Sequence, residues 1–185
     1  MTALRFALIF ALLCFSPVAG ATDIFGFDFG KRIDLPECER FPTANPRLKI
    51  YNSVQQQTCI EDPVPYGNRV IHFGMASSPK YVKERRATVS MAAGELCAVQ
   101  YYTWGIRDQD ELLEQLRATY GKPSSLIRST GKNLYGAALP IIHARWTSKT
   151  AEISLDGAIG DFETGDVTIM SLIPQCAASK PAKSL

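Results

Sequence analysis

Residues 108–123 hold the clearest helical period in the chain, and the patterned stretches around them alternate with a period of two. A chain divided in this way buries its apolar side chains by laying a helix on a sheet. Leu112, Leu113, Leu116 and Tyr120 fall on one helical stripe. Asp108 stands at the N-cap with Glu111 at capping-box spacing, and Gly121 followed by Pro123 ends the helix. Acids in the first turn and Arg117 in the last suit the helix dipole.

Phe25, Phe27 and Phe29 alternate with Gly26, Asp28 and Gly30, which predicts an extended strand. Prolines break any period over residues 36–46, a short strand is expected at 48–51, and Pro63, Pro65 and Gly67 make 62–68 a loop before a strand at 69–73. Residues 88–91, the turn formers Ala93, Gly94 and Glu95, and the alternation through Cys97, Val99 and Tyr101 predict a hairpin. Its inner face would hold Val89, Met91, Cys97, Val99 and Tyr101. Three further strands are expected at 141–146, 151–155 and 167–173, separated or flanked by turns at 133–136, 156–160 and 163–166. Short turns favour antiparallel pairing. The expected fold class is therefore α+β: an antiparallel β-sheet packed by one main α-helix, a single domain over residues 22–176 with a disordered tail at 177–185.

The amino terminus has one charge, Arg5, then an apolar run over residues 6–15, Pro17, and small residues through Ala19, Gly20 and Ala21. This is the grammar of a cleavable secretory signal, too short to span a bilayer as an anchor. Cleavage is expected after Ala21, with a periplasmic or secreted product that is soluble and not membrane-spanning. Cys14 lacks the small residue that lipoprotein processing wants before it. Removing 21 of 185 residues leaves 164, with 19 basic against 18 acidic side chains once Arg5 is gone. So even a balance gives nucleic acid no long-range attraction, and no nucleic-acid partner is expected.

Four of the five cysteines remain after cleavage: Cys38, Cys59, Cys97 and Cys176. An even number in an oxidising compartment predicts two disulfides, and three connectivities are possible. The favoured one joins Cys38 to Cys59, around a proline-rich irregular segment, and Cys97 to Cys176, tying a central strand to the chain end. A zinc site would need CxxC or CxH spacing, which the chain lacks, and thiol catalysis would need an unpaired cysteine. No metal and no cofactor are expected.

The helix with Leu112 and Leu116 that ends Tyr120-Gly121-Lys122-Pro123, followed by a strand with Trp146 and another at 152–155, resembles a unit of small, mostly uncharacterised bacterial periplasmic or secreted proteins. The resemblance covers about residues 87–173. It implies a compact envelope domain and no particular chemistry.

The search for chemistry turns up partial signals. Ser77-Ser78-Pro79-Lys80 matches Ser-x-x-Lys, but Pro79 interrupts the turn and the companion motifs are missing. His72 and His143 are potential general bases with no Gly-x-Ser-x-Gly turn to serve. Asp156, Asp161, Glu163 and Asp166 gather near Gly157, Gly160 and Gly165 without calcium-loop spacing, and read as turn acids that start and stop strands. Lys80, Lys83, Arg85 and Arg86 form the densest basic stretch and are the partner-binding residues expected here. These readings favour a non-catalytic exported protein that binds a macromolecular partner, a protein or envelope component, in the manner of an inhibitor or immunity factor, with no catalytic residues assigned. The alternatives are a secreted hydrolase drawing on His143, Asp161 and Asp166, and a carrier of a small apolar ligand held between helix and sheet.

Overall fold

The computed structural model describes residues 27–40, 57–62, 67–174 and 176. The signal expected at residues 1–21, the first part of the Phe25–Phe29 stretch, the strand expected at 48–51 and the tail expected to be disordered at 177–185 lie outside the described residues. Eight strands are described: β1 (Cys59–Ile60), β2 (Asn68–His72), β3 (Arg86–Ala92), β4 (Glu95–Thr103), β5 (Ser125–Lys132), β6 (Ala138–Thr147), β7 (Ala151–Asp156) and β8 (Gly165–Ser171). They form one sheet in the order β1-β2-β3-β4-β8-β7-β6-β5, antiparallel throughout. The helix α1 spans Gln109–Tyr120.

The expected hairpin is β3 and β4. Ala93 and Gly94 join them at φ 51° and 84°, the left-handed pair that matches the twist of a tight hairpin. Register then shifts between Ser90 and Met91, so that Met91 faces Leu96, Ser90 faces Ala98, and Cys97 is the extra residue of a bulge. Both Leu96 and Cys97 become buried, whereas the predicted inner face skips Leu96 and counts Met91, which is only partly buried.

One row of side chains runs across the sheet in register, Ile71, Ala87, Tyr101, Val167, Leu155 and Ala144, and each is essentially inaccessible. α1 lays Leu112, Leu113 and Leu116 into the same core. The helix supplies only part of the cover: Phe73, Tyr81 and Val82, with Phe27, Phe29, Ile33 and Leu35, fill the rest. Phe27 and Phe29 belong to no ladder strand, because the turn at Gly30 (φ 74°) ends the extension; the Phe27 ring packs 6.1 Å from Phe73 instead.

α1 begins differently from the capping box. A 3-10 turn at Gly105–Arg107 runs straight into it, leaving Asp108 with helical backbone angles. A helical N-cap cannot fold its carboxylate back over the first turn, so Asp108 accepts from Arg107 Nε at 2.9 Å and Glu111 accepts from Lys80. The helix is anchored by Gln109, whose Nε2 donates to the Pro140 carbonyl and whose Oε1 accepts from the Ile142 amide, both at 2.9 Å. Gly157 packs so closely beneath the Gln109 side chain that a Cβ there would lie 2.0 Å from its Oε1. At the other end Trp146 Nε1 donates to the Gly121 carbonyl at 2.8 Å, joining the Tyr-Gly-Lys-Pro ending to β6.

Both favoured disulfides are present, Cys38–Cys59 with Cα atoms 4.9 Å apart and Cys97–Cys176 at 5.2 Å. The first seals one sheet edge, where Glu37 also bridges Ile60. The opposite edge is β5, a strand absent from the sequence-based expectation. No helix among the described residues is long and apolar enough to cross a membrane.

Candidate functional site

The loop joining β5 to β6 is organised by one side chain. Asn133 Oδ1 accepts the Tyr135 amide at 3.0 Å and the Ala137 amide at 2.9 Å, and Gly136 (φ 79°) completes the turn. With the loop's polar groups satisfied inwardly, Leu134 and Tyr135 project outward at 102% and 94% exposure. Facing them is the loop after β7. Its Phe162 carbonyl accepts the Ile106 amide at 3.1 Å, and Gly105 (φ 61°) approaches that carbonyl too closely for any side chain. Trp104, still partly exposed, carries the Arg107 guanidinium 4.7 Å and the Lys83 ammonium 5.5 Å from its ring. Together these elements enclose a cleft of about 910 Å³ walled by Trp104, Ile106, Leu134, Tyr135, Leu139 and Phe162.

Beside the cleft, the solvent face of the sheet carries a polar row. Asp166 of β8 stands directly opposite Asp156 of β7, which stands opposite His143 of β6. Like charges so placed oppose each other. Asp166 is relieved by Gln100 Nε2 and Thr168 Oγ1, each donating at 3.0 Å. Burial is still the stronger influence: it pushes the Asp166 carboxyl above the ordinary carboxylate range, with the Asp156 charge adding to it. Asp156 shares its load with Arg145, whose Nη2 lies 3.6 Å away, and with His143, whose Nδ1 lies 2.8 Å away. The other imidazole nitrogen, Nε2, is 3.1 Å from Ser129 Oγ on β5.

Of the acids expected only to punctuate turns, Asp156 and Asp166 are therefore ladder residues facing one another. Asp161 keeps a turn role, accepting the Glu163 amide at 3.0 Å. The structure brings His143 and Asp166 into one row and leaves Asp161 at the cleft wall. His72 meets the Glu61 carboxylate near the opposite edge. Ser77 and Lys80 turn to different partners, the hydroxyl to Thr58 and the ammonium to Glu111.

The basic stretch is divided rather than gathered. Lys80 pairs with Glu111, and this exposed pair raises the lysine and lowers the glutamate through their mutual hydrogen bond. Lys83 donates to Thr164 Oγ1 at 2.8 Å and reaches the Trp104 rim. Arg86 pairs with Glu84, and the Arg85 carbonyl accepts the Phe73 amide.

Reading by spacing misses Ser129, Trp104 and Tyr135, and takes Asp156 for a turn acid. Ser129 lies on the unpredicted strand, and its relation to His143 exists only through β5–β6 register. The one local hint was Leu134-Tyr135, an apolar pair inside a turn. No family model, curated protein or solved structure matches the chain.

Proposed function

We propose that this chain is an exported protein, periplasmic or secreted, that binds a protein partner at the cleft beside the β5–β6 loop, in the manner of an inhibitor or immunity factor. The carrying observation is Leu134 and Tyr135 held almost fully exposed beside Trp104 and Arg107 around one concave space. Tyr, Trp and Arg are the residue types that dominate binding energy at protein interfaces, most strongly around a pocket that excludes water. The occupant this arrangement fits is a loop or extended segment with an aliphatic or aromatic anchor. Lys83 and Arg107 above the indole favour acidic flanks on that segment. Export is supported by the amino-terminal signal grammar and by two disulfides, which persist in oxidising compartments. The ligand-carrier alternative loses support, since the space between helix and sheet is filled by Leu112, Leu113, Leu116 and Tyr101.

A photo-crosslinking residue at position 135, expressed in the native host, tests this reading. A discrete protein adduct is expected from position 135, lost with Trp104→Ala and absent from position 114 on the exposed helix face. No adduct, or one equally strong from position 114, overturns the assignment.

A further inference from the structure

The Ser129, His143 and Asp156 side chains do nothing for the partner-binding reading, yet they are linked in series. We propose that Ser129 is an acyl-accepting nucleophile, with His143 as its general base and Asp156 orienting that base, and that the chain hydrolyses small carboxylic esters. This goes beyond the binding reading and does not depend on it.

The geometry supplies the roles. An ionised carboxylate only accepts hydrogen bonds, so the 2.8 Å contact from Asp156 Oδ1 places the imidazole proton on Nδ1. Nε2 is then left with its lone pair toward Ser129 Oγ at 3.1 Å, within reach of the proton it would remove. The three groups come from adjacent strands: His143 stands directly opposite Asp156, while Ser129 stands opposite Ile141, on the diagonal from His143. Sheet register therefore fixes their spacing, as a rigid scaffold should. Asp156 is held from behind by Arg145. The His143 and Asp156 side chains are 35% and 25% exposed, so a substrate can reach them while much of their surface is out of water.

The surroundings define the substrate class. Ile127 lies opposite His143 and Ile141 opposite Ser129 on the same sheet face. Phe162 closes over Gly131, two residues along β5, so that a Cβ there would sit 2.7 Å from its Cζ. These apolar surfaces suit an uncharged ester with a short aliphatic acyl group. β5 is the edge of the sheet, and an edge strand directs part of its backbone N–H groups away from the ladder.

In the first step Ser129 Oγ bonds the ester carbonyl carbon as its proton passes to His143 Nε2. Collapse breaks the bond to the alcohol oxygen, and the alcohol leaves with that proton. Water then attacks the acyl-serine and gives a proton to His143 Nε2; cleavage of the acyl–Oγ bond releases the carboxylic acid and returns the proton to Ser129.

An ordinary polar cross-strand cluster would have the same hydrogen bonds without reactivity, so the test is reactivity. The full chain with its disulfides intact is treated with a fluorophosphonate probe, and hydrolysis of p-nitrophenyl butyrate is followed in parallel. The expected result is a single adduct on the peptide carrying Ser129, abolished in Ser129→Ala, with both rates reduced about 100-fold or more in His143→Gln. Ser125→Ala, on the same strand, should leave both rates unchanged. Thermal midpoints of all variants confirm folding. No adduct on the wild type, or an adduct that survives Ser129→Ala, overturns the proposal. Either outcome leaves the crosslinking result at position 135 untouched, so the two readings fail separately.

Discussion

The two faces of the sheet are built from the same strands and obey opposite rules. On the helix side, register lines up Ile71, Ala87, Tyr101, Val167, Leu155 and Ala144 into a dry row. One residue further along each ladder, on the other side, it lines up Asp166, Asp156 and His143. The dry row is stabilised by removing apolar surface from water, which is additive and tolerant of detail. The polar row sets two carboxylates against each other and depends on each donor around them. Packing explains the first row completely. The second sets two carboxylates against each other, a repulsion that Gln100, Thr168, Arg145 and His143 offset through their contacts with them.

Three substitutions break or sharpen this contrast. The largest effect belongs to the dry side: Leu116→Ala should cost about 2–5 kcal/mol, read from the shift in a urea unfolding midpoint. A smaller loss would mean that α1 can settle into the gap and that the 27–35 and 73–82 segments carry more of the cover. Next comes a buried polar residue on that side. Gln109→Ala strips the Pro140 carbonyl and the Ile142 amide of their buried partner and should cost about 1–3 kcal/mol. If Gln109→Ala were as stable as wild type, those groups would have found other partners.

The smallest effect, and the most diagnostic, is on the polar row. Burial raises the Asp166 pKa in the folded protein, so the native state holds that proton more tightly than the unfolded chain does. Stability from this group is therefore full below the ordinary carboxylate range. It is lost as pH rises through that range to the raised folded value. Measured against Asp166→Asn, the wild type should lose stability as pH rises through the ordinary carboxylate range and on to the raised folded value. A gap that stays constant, or one that grows in favour of wild type, would show that Gln100 and Thr168 outweigh burial.

Much of the scaffold was legible because its signals are local. The stripe Leu112, Leu113 and Leu116 and the Gly121 stop define α1, and alternation with a Gly94 turn defines β3 and β4. The disulfide pairing followed from where the cysteines sit relative to irregular and central segments. β5 was not legible: its residues are exposed or only partly buried on both faces, so no alternation marks it. Leu126 and Ile127 are consecutive apolar residues of an edge strand rather than alternate ones. The capping box at Asp108 and Glu111 failed for a related reason, since a neighbouring 3-10 turn and a distant lysine decided what those acids bind.

By itself, then, the sequence determined one helix, a central antiparallel hairpin and a cysteine set that pairs into two disulfides, because periodicity, turn chemistry and the placement of cysteines are read over short stretches. Only the tertiary structure decided that Ser129, His143 and Asp156 meet, that Asp156 faces Asp166, and that Trp104 and Tyr135 border one cleft. Those meetings depend on strand register and loop docking between residues far apart in the chain, and a slip of one residue would have turned each side chain to the opposite face.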